Sequence, residues 1–328
     1  MMDYTIDDVR HEVQALRHAI YQGDLFNSLR VDVGNLLAAL RPGLPTPVAG
    51  LTDSDEAALR SLATNLQTQL AQETLTTVAT NELLQLVTGL KTTEPTVRDD
   101  LAMATILDLL QQGILTAEQM QELARYLLRD EMILAHIDEQ ASDAVFLRSS
   151  SVYLLMMIIF TSRQNGGEPL PLELQETLID TLAVYLVLET DTRGFVDDKG
   201  WAHAFFHVAL LLDALAEDPS MTRADKIFLL TLLLERVIRL DQPLFAGEFK
   251  RLATYMVNLM QMSSFYSDYL LNIFKQWRQA MIKESRPTDT AGWNRFYNQI
   301  TLLQNLMLKE NLPEPIYDYL NEQRHYLS

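Results

Sequence analysis

The sequence contains no cysteine among its 328 residues. Disulfides, thiolate nucleophiles and metal sites built from cysteine, such as zinc ribbons and iron–sulfur clusters, are therefore excluded. The absence also fits a reducing compartment, so we expect a cytoplasmic protein.

Basic residues are scarce. The chain has 26 Lys and Arg against 44 Asp and Glu, which gives a formal net charge of −18. Nucleic acids and anionic membrane surfaces would meet net repulsion, so we expect neither as a partner. Residues 250–328 differ, with 9 basic and 7 acidic side chains. A negatively charged partner is not disfavoured in that stretch.

Long hydrophobic runs are also missing. The longest one, Val152–Phe160, is about half the length of a membrane span, so we expect a helix buried in a protein core. The first residues are acidic and lack the apolar segment of a secretory signal, so no signal peptide is expected.

The chain has only 12 Gly and 11 Pro. Apolar residues recur at spacings of three and four, as in Val9, Val13 and Ile20, and no run alternates with period two. This pattern predicts an all-α protein. Several predicted helix starts have a threonine followed three residues later by an acid or amide, which is the pattern of a capping box. The pairs are Thr52 with Asp55, Thr116 with Gln119, and Thr222 with Asp225.

The periodic segments predict about fourteen helices joined by short turns. Paired antiparallel, they form one helix hairpin per roughly 45–50 residues, close to the period of HEAT and armadillo repeats. We therefore predict an α-solenoid, a HEAT-armadillo-like superhelix, and keep an irregular bundle as the alternative. The predicted parts are N-terminal helices (1–50), a helical-repeat core (51–262) and an aromatic-rich C-terminal extension or cap (263–328).

Charged residues, two glycines and a tryptophan crowd into residues 189–213. A helix is predicted over 199–217, on which His203 and His207, four residues apart, would share one face. Trp201 would lie on another face and pack inward, and Asp197 or Asp198 would cap the helix.

Three interpretations of the histidine pair stay open. The imidazoles could be structural and bonded to carboxylates such as Asp191. They could line a pocket for a small polar or anionic ligand, with Arg193 and Lys199 as donors. They could also bind zinc or another divalent metal with a carboxylate as third ligand. No cofactor is favoured, because the glutamate of a His-Glu-x-x-His motif is missing.

The string Arg193-Gly-Phe … Lys199-Gly-Trp-Ala-His203 … His207 … Asp213 resembles the signature of a bacterial family, domain-of-unknown-function family 2785. Three further segments resemble it too, and the resemblance spans about residues 55–260. The resemblance implies a helical-repeat fold and a functional site near this string, but it implies no reaction. The three segments are 96–116, 145–149 and 245–253.

We expect charged and ring-bearing side chains from successive helices to converge on the concave side of the stack. Buried arginines at 148 and 251 would need carboxylate partners. The ten candidate ligand-binding residues are Arg148, Asp191, Arg193, Lys199, Trp201, His203, His207, Asp213, Glu248 and Arg251.

The predicted function is a non-enzymatic scaffold that binds a protein or a small polar ligand. The alternative is an enzyme that uses His203 and His207 as acid–base groups or as metal ligands. Residues 263–328 hold 11 of the 27 aromatic residues. They are expected to close the end of the stack, or to form a surface for homo-oligomers.

Overall fold

The computed structural model describes residues 4–23, 28–164, 166, 170–283 and 286–324. This part of the chain is mostly α-helical, which confirms the all-α prediction. Its fifteen α-helices are α1 (Ile6–Tyr21), α2 (Leu29–Ala39), α3 (Asp53–Ala71), α4 (Thr80–Thr88), α5 (Ala104–Gln111), α6 (Ala117–Leu127), α7 (Asp130–Ile133), α8 (Val145–Gln164), α9 (Leu172–Leu188), α10 (Ala204–Ala216), α11 (Arg223–Val237), α12 (Glu248–Met262), α13 (Ser264–Lys283), α14 (Thr290–Met307) and α15 (Glu314–Glu322).

The described residues form four further elements. A 3₁₀-helix covers Gly89–Lys91 and a π-helix covers Thr96–Met103. Strands β1 (Phe195–Val196) and β2 (Gly200–Trp201) form an antiparallel hairpin. Each strand has two residues, which is too short for period-two alternation to show in the sequence.

The predicted capping residues begin helices as expected. The hydroxyl of Thr116 accepts the N–H of Gln119, whose side chain accepts the N–H of Thr116 in return, before α6. Thr52 and Thr222 accept the N–H groups of Asp55 and Asp225 at the starts of α3 and α11, so of the three predicted boxes only that of Thr116 has both bonds. These bonds satisfy N–H groups that the first helical turn leaves without partners.

The chain divides into two units. The central unit comprises residues 42–214, and the terminal unit comprises residues 1–41 together with 215–328. The candidate residues before position 214 therefore belong to the central unit.

In the central unit, α8 packs against α5, α6 and α7. This helix contains the apolar run Val152–Phe160 and is long and apolar enough to cross a membrane, but 83% of its most apolar window is buried inside the protein. Such burial is typical of a core helix, as predicted for this run.

In the terminal unit, the N-terminal helices α1 and α2 pack against α11, although the segments are far apart in sequence. A buried ion pair joins α1 to α11, with 2.8 Å between Arg17 Nε and Asp225 Oδ1. Helix α12 packs against α13 and α14. Both ends of the chain thus contribute to one hydrophobic core.

Candidate functional site

The hairpin occupies the residues that were predicted to begin a helix. Phe195 pairs with Trp201 and Val196 with Gly200, so residues 197–199 form the turn. Asp198 and Gly200 have positive φ angles of 65° and 80°, as is common in three-residue hairpin turns. The prediction that Asp197 or Asp198 caps a helix is therefore wrong, because both lie in this turn.

Helix α10 begins at Ala204, later than predicted, and His203 precedes it with a φ of 53°. The N–H of His207 donates to the carbonyl of His203 over 2.9 Å, so the first helical turn closes on His203. This turn brings the two imidazole centroids to 5.6 Å. The two rings are neighbours even though only His207 lies within the helix.

Trp201 does not pack inward as predicted. Its side chain is 49% exposed and stacks parallel to the His203 ring, with 4.3 Å between centroids. Phe195, across the hairpin, is 56% exposed and meets Trp201 edge to face at 5.2 Å. The physical reason is that Trp201 lies on a strand, where side chains alternate between faces. Its neighbours Gly200 and Ala202 are the buried ones.

His207 is held by the backbone of α8. Its Nδ1 lies 3.0 Å from the carbonyl oxygen of Ser149. Because a carbonyl oxygen only accepts, Nδ1 carries the proton and Nε2 keeps its lone pair in the neutral ring. The partner is thus a carbonyl group, where a carboxylate such as Asp191 was one expectation.

Aromatic side chains surround the two imidazoles. The ring of Tyr153 stacks on His207 at 4.8 Å. Phe206 lies 5.0 Å from the His203 ring and 6.2 Å from the His207 ring. Aromatic rings therefore lie against both imidazoles.

Both imidazoles are neutral at pH 7. Burial lowers the pKa of His203. Burial, together with the nearby His203, lowers the pKa of His207 to about 3. A buried ring resists protonation because the charged form loses its hydration.

The charged residues around the hairpin are paired with one another. Arg193 contacts Asp191 at 2.7 Å and Asp143 at 3.1 Å, and Lys199 Nζ contacts Asp143 at 2.6 Å. Burial alone would raise the pKa of Asp143, but the bonds from Lys199 and Arg193 hold it below its usual value. The two cations that were expected to receive an anionic ligand are therefore engaged with carboxylates.

A buried ion pair fixes the start of this loop. Arg148 donates to both carboxylate oxygens of Glu189, over 2.9 and 3.0 Å. Its Nη1 donates to the carbonyl of Ala135 over 2.8 Å, and Glu189 also accepts the N–H of Asp191. Arg148 therefore has the carboxylate partner that a buried guanidinium needs.

Arg98 is a structural anchor that was not among the residues predicted to form the site. It lies on the π-helix, is 1% exposed, and donates to the carbonyl of Lys199 over 2.6 Å. Its guanidinium lies 4.4 Å from the Phe146 ring and pairs with Asp99 at 2.7 Å. A Cβ on Gly200 would come within 3.0 Å of its Nη2. Its one signal in the sequence was membership of the segment 96–116.

The other three candidate residues lie on α10 and α12. Asp213 is buried on α10 in the central unit. Glu248 and Arg251 lie on α12 in the terminal unit. Burial raises the pKa of Glu248, whose carboxylate accepts the N–H of Ala246 over 2.7 Å. The convergence of all ten residues on one concave face remains a prediction.

Across the described residues, no group of three or more His, Asp or Glu side chains gathers closely enough to hold a metal ion. Two imidazoles without a third ligand form an incomplete zinc site.

The fold and the site define an all-α protein with an aromatic hairpin braced by paired charges. The family model described as "Protein of unknown function (DUF2785)" matches residues 133–308. The chain belongs to this family, as the Arg193–His207 string predicted. The match begins after the segment 96–116 and extends past residue 260 through the end of α14. No curated protein and no solved structure matches the chain.

Proposed function

We propose that this chain is a non-catalytic binding protein, and that its hairpin binds a basic segment of a partner protein. One observation carries the proposal. Two exposed aromatic rings, Phe195 and Trp201, flank a turn that contains two exposed carboxylates, Asp197 and Asp198.

The aromatic part of this surface is held in place before a partner arrives. Trp201 stacks on His203 and meets Phe195 edge to face. A ring with few accessible orientations loses little conformational entropy on binding. Tryptophan is enriched at the energetic centres of protein interfaces, and its face attracts Lys and Arg cations.

The charges point to the same kind of partner. Among the described residues, the side chains of Asp197 and Asp198 have no hydrogen-bond or ion-pair partner. Arg193 and Lys199 are engaged with Asp191 and Asp143, so they do not neutralise the turn. The chain as a whole carries −18, which favours a basic partner over an acidic one.

The histidine pair suits a supporting role better than acid–base catalysis. A general base works best when its pKa is near the working pH, whereas the pKa of His207 is about 3. His203 serves as the platform under Trp201.

The finer structural predictions also remain proposals. Packing between successive helices, as between α3 and α4 or α12 and α13, supports a HEAT-like stack. The contact of α2 with α11 departs from a stack in which each pair touches only its sequence neighbours. A cytoplasmic location is supported by the absence of cysteine. Self-association through residues 263–328 is supported by their aromatic content.

The test uses fluorescein-labelled peptides that carry Arg and Lys at varied spacings, each with a counterpart in which Glu replaces every basic residue. Fluorescence anisotropy gives the Kd. We expect at least one basic peptide to bind tenfold or more tightly than its acidic counterpart. We expect Trp201→Ala and Asp197→Asn/Asp198→Asn each to weaken that binding at least fivefold.

Two matched variants serve as controls. Glu118→Gln/Glu122→Gln removes the same charge from exposed positions on α6, and Phe245→Ala removes an exposed ring from the terminal unit. Both should bind like the wild type. The proposal fails if no basic peptide outperforms its acidic counterpart, or if the hairpin variants bind as the wild type does.

A further inference from the structure

A cleft of about 790 Å³ lies in the terminal unit, between α13, the end of α11 and the beginning of α14. Its volume is in the range typical of small-molecule sites. It is lined by residues on which the hairpin site does not depend. Four arginines line it, Arg30, Arg239, Arg286 and Arg295, against one carboxylate residue, Asp289.

Two of these arginines share a single buried carboxylate. Arg239 and Arg30 both contact Glu235, the latter at 3.5 Å, and the Glu235 side chain is 0% exposed. Glu235 also accepts the indole N–H of Trp277 over 3.0 Å. One negative charge beneath two guanidiniums leaves net positive charge at this wall of the cleft.

A third arginine lies over the face of an aromatic ring. The guanidinium of Arg286 lies 5.4 Å from the Trp293 ring centroid and is exposed. No carboxylate among the described residues pairs with it. Phe296 and Tyr297 pack on Trp293 at 5.7 and 5.9 Å. These contacts hold the indole in place.

The other two charged groups at the rim are already engaged. Arg295 pairs with Asp241 at 2.7 Å. The carboxylate of Asp289 accepts the N–H of Gly292 over 2.7 Å and caps α14. With Arg295 paired to Asp241, the positive charges of Arg30, Arg239 and Arg286 exceed the negative charges of Glu235 and Asp289 by one.

We infer that this cleft binds a small anion built on a flat aromatic ring. The ring would stack beside Trp293, and the oxyanion would receive guanidinium donors from Arg286 and Arg239. Guanidinium groups match phosphate and carboxylate oxygens in a two-pronged geometry, and an aromatic wall adds stacking with a ring. In a chain of net charge −18, a cleft with this charge excess is a local reversal of sign.

The chain provides its own optical reporter for the test. It has three tryptophans, of which Trp277 and Trp293 line the cleft and Trp201 lies on the hairpin. In the Trp201→Phe variant, emission excited at 295 nm therefore comes from the cleft alone. The probes are AMP and benzoate, which carry an oxyanion on a ring-bearing compound, and adenosine and inorganic phosphate, which each lack one of the two parts.

We expect AMP or benzoate to change the emission saturably, with a Kd at least tenfold lower than those of adenosine and phosphate. Preference between the two ring-bearing anions separates a phosphate ligand from a carboxylate ligand. Arg286→Gln, in the same background, should weaken binding at least tenfold. Lys250→Gln, which removes an exposed positive charge from α12 of the same unit, should leave the Kd unchanged.

Circular dichroism of each variant checks that the helices are retained. The inference is overturned if neither ring-bearing anion saturates, if adenosine and phosphate bind equally well, or if Arg286→Gln binds like the wild type. Because the hairpin takes no part in this site, these outcomes do not bear on the proposed function.

Discussion

Buried polar side chains in this protein lie where they find the hydrogen-bond or ion-pair partner that burial requires. Arg148 meets Glu189 because a buried guanidinium without a carboxylate is very unfavourable. His207 instead meets a carbonyl group, and it stays neutral because burial removes the hydration that a charged ring would need. Protonation of this imidazole at low pH should therefore destabilise the central unit.

His207→Asn should reduce the acid sensitivity of the protein. The folded pKa of about 3 is below the unfolded value of about 6.5, so the unfolded state binds the proton more readily. The free energy of unfolding therefore falls as the pH drops from 6.5 towards 3, by up to about 1.4 kcal/mol per pH unit. Asparagine keeps an N–H donor for the Ser149 carbonyl but does not titrate.

Urea denaturation at pH 7, 6 and 5 measures this effect. Through this residue, the free energy of unfolding of the wild type should fall by about 1–2 kcal/mol between pH 7 and pH 5. The fall measured for His207→Asn should be smaller by the same amount. His11→Asn, an exposed histidine on α1, should keep the wild-type dependence. Identical pH profiles for the wild type and His207→Asn would show that the ring is not buried as described.

Among the elements, the hairpin shows why the site could be predicted only in part. The four-residue spacing of His203 and His207 correctly predicted neighbouring rings, because a helical turn closes on His203. The orientation of Trp201 was predicted wrongly. The helix was predicted to begin at residue 199. Gly200, however, has a left-handed backbone conformation that a helix does not accommodate, and α10 begins only at Ala204. Two-residue strands have no periodicity from which a hairpin could be recognised.

Gly200→Ala should detach the hairpin from the π-helix. The residue has a φ of 80°, and a Cβ would lie 3.0 Å from Arg98 Nη2. The positive φ alone costs an alanine about 1 kcal/mol. The crowding of Arg98 adds to that cost, because this side chain is buried and bonded to the carbonyl of Lys199.

The matched control for this substitution is Gly113→Ala in the same unit. Gly113 has a φ of 69°, but nothing lies within 4 Å of its Cβ position. Both variants should lose stability, and only Gly200→Ala should also change the near-ultraviolet circular dichroism of Trp201. Equal losses and equal spectra would contradict the role given to Arg98.

At the scale of the whole molecule, helix content could be predicted from the sequence but helix partners could not. Spacings of three and four identify each helix because every amphipathic helix must bury one face. They do not say which distant helix covers that face. Helices α1 and α2 were predicted as a separate N-terminal part, and they lie in a unit with α11–α15. That choice depends on long-range complementarity, such as the pairing of Arg17 with Asp225.

The joining of the two chain ends into one core can be tested with two valines of α2. Val33 is fully buried where α2 packs in the terminal unit, whereas Val31 is 49% exposed on the same helix. Val33→Ala removes two buried methyl groups and leaves a cavity, so it should cost about 1–2 kcal/mol. Val31→Ala should cost less than about 0.5 kcal/mol.

Hydrogen exchange shows where that cost falls. Val33→Ala should lower the protection of amides in α11, because α2 covers this helix, although the substitution lies far from it in sequence. Protection in α8, the core helix of the central unit, should fall less. If α11 kept wild-type protection while α2 alone exchanged faster, the N-terminal helices would be an appendage and not part of the core that α11 shares.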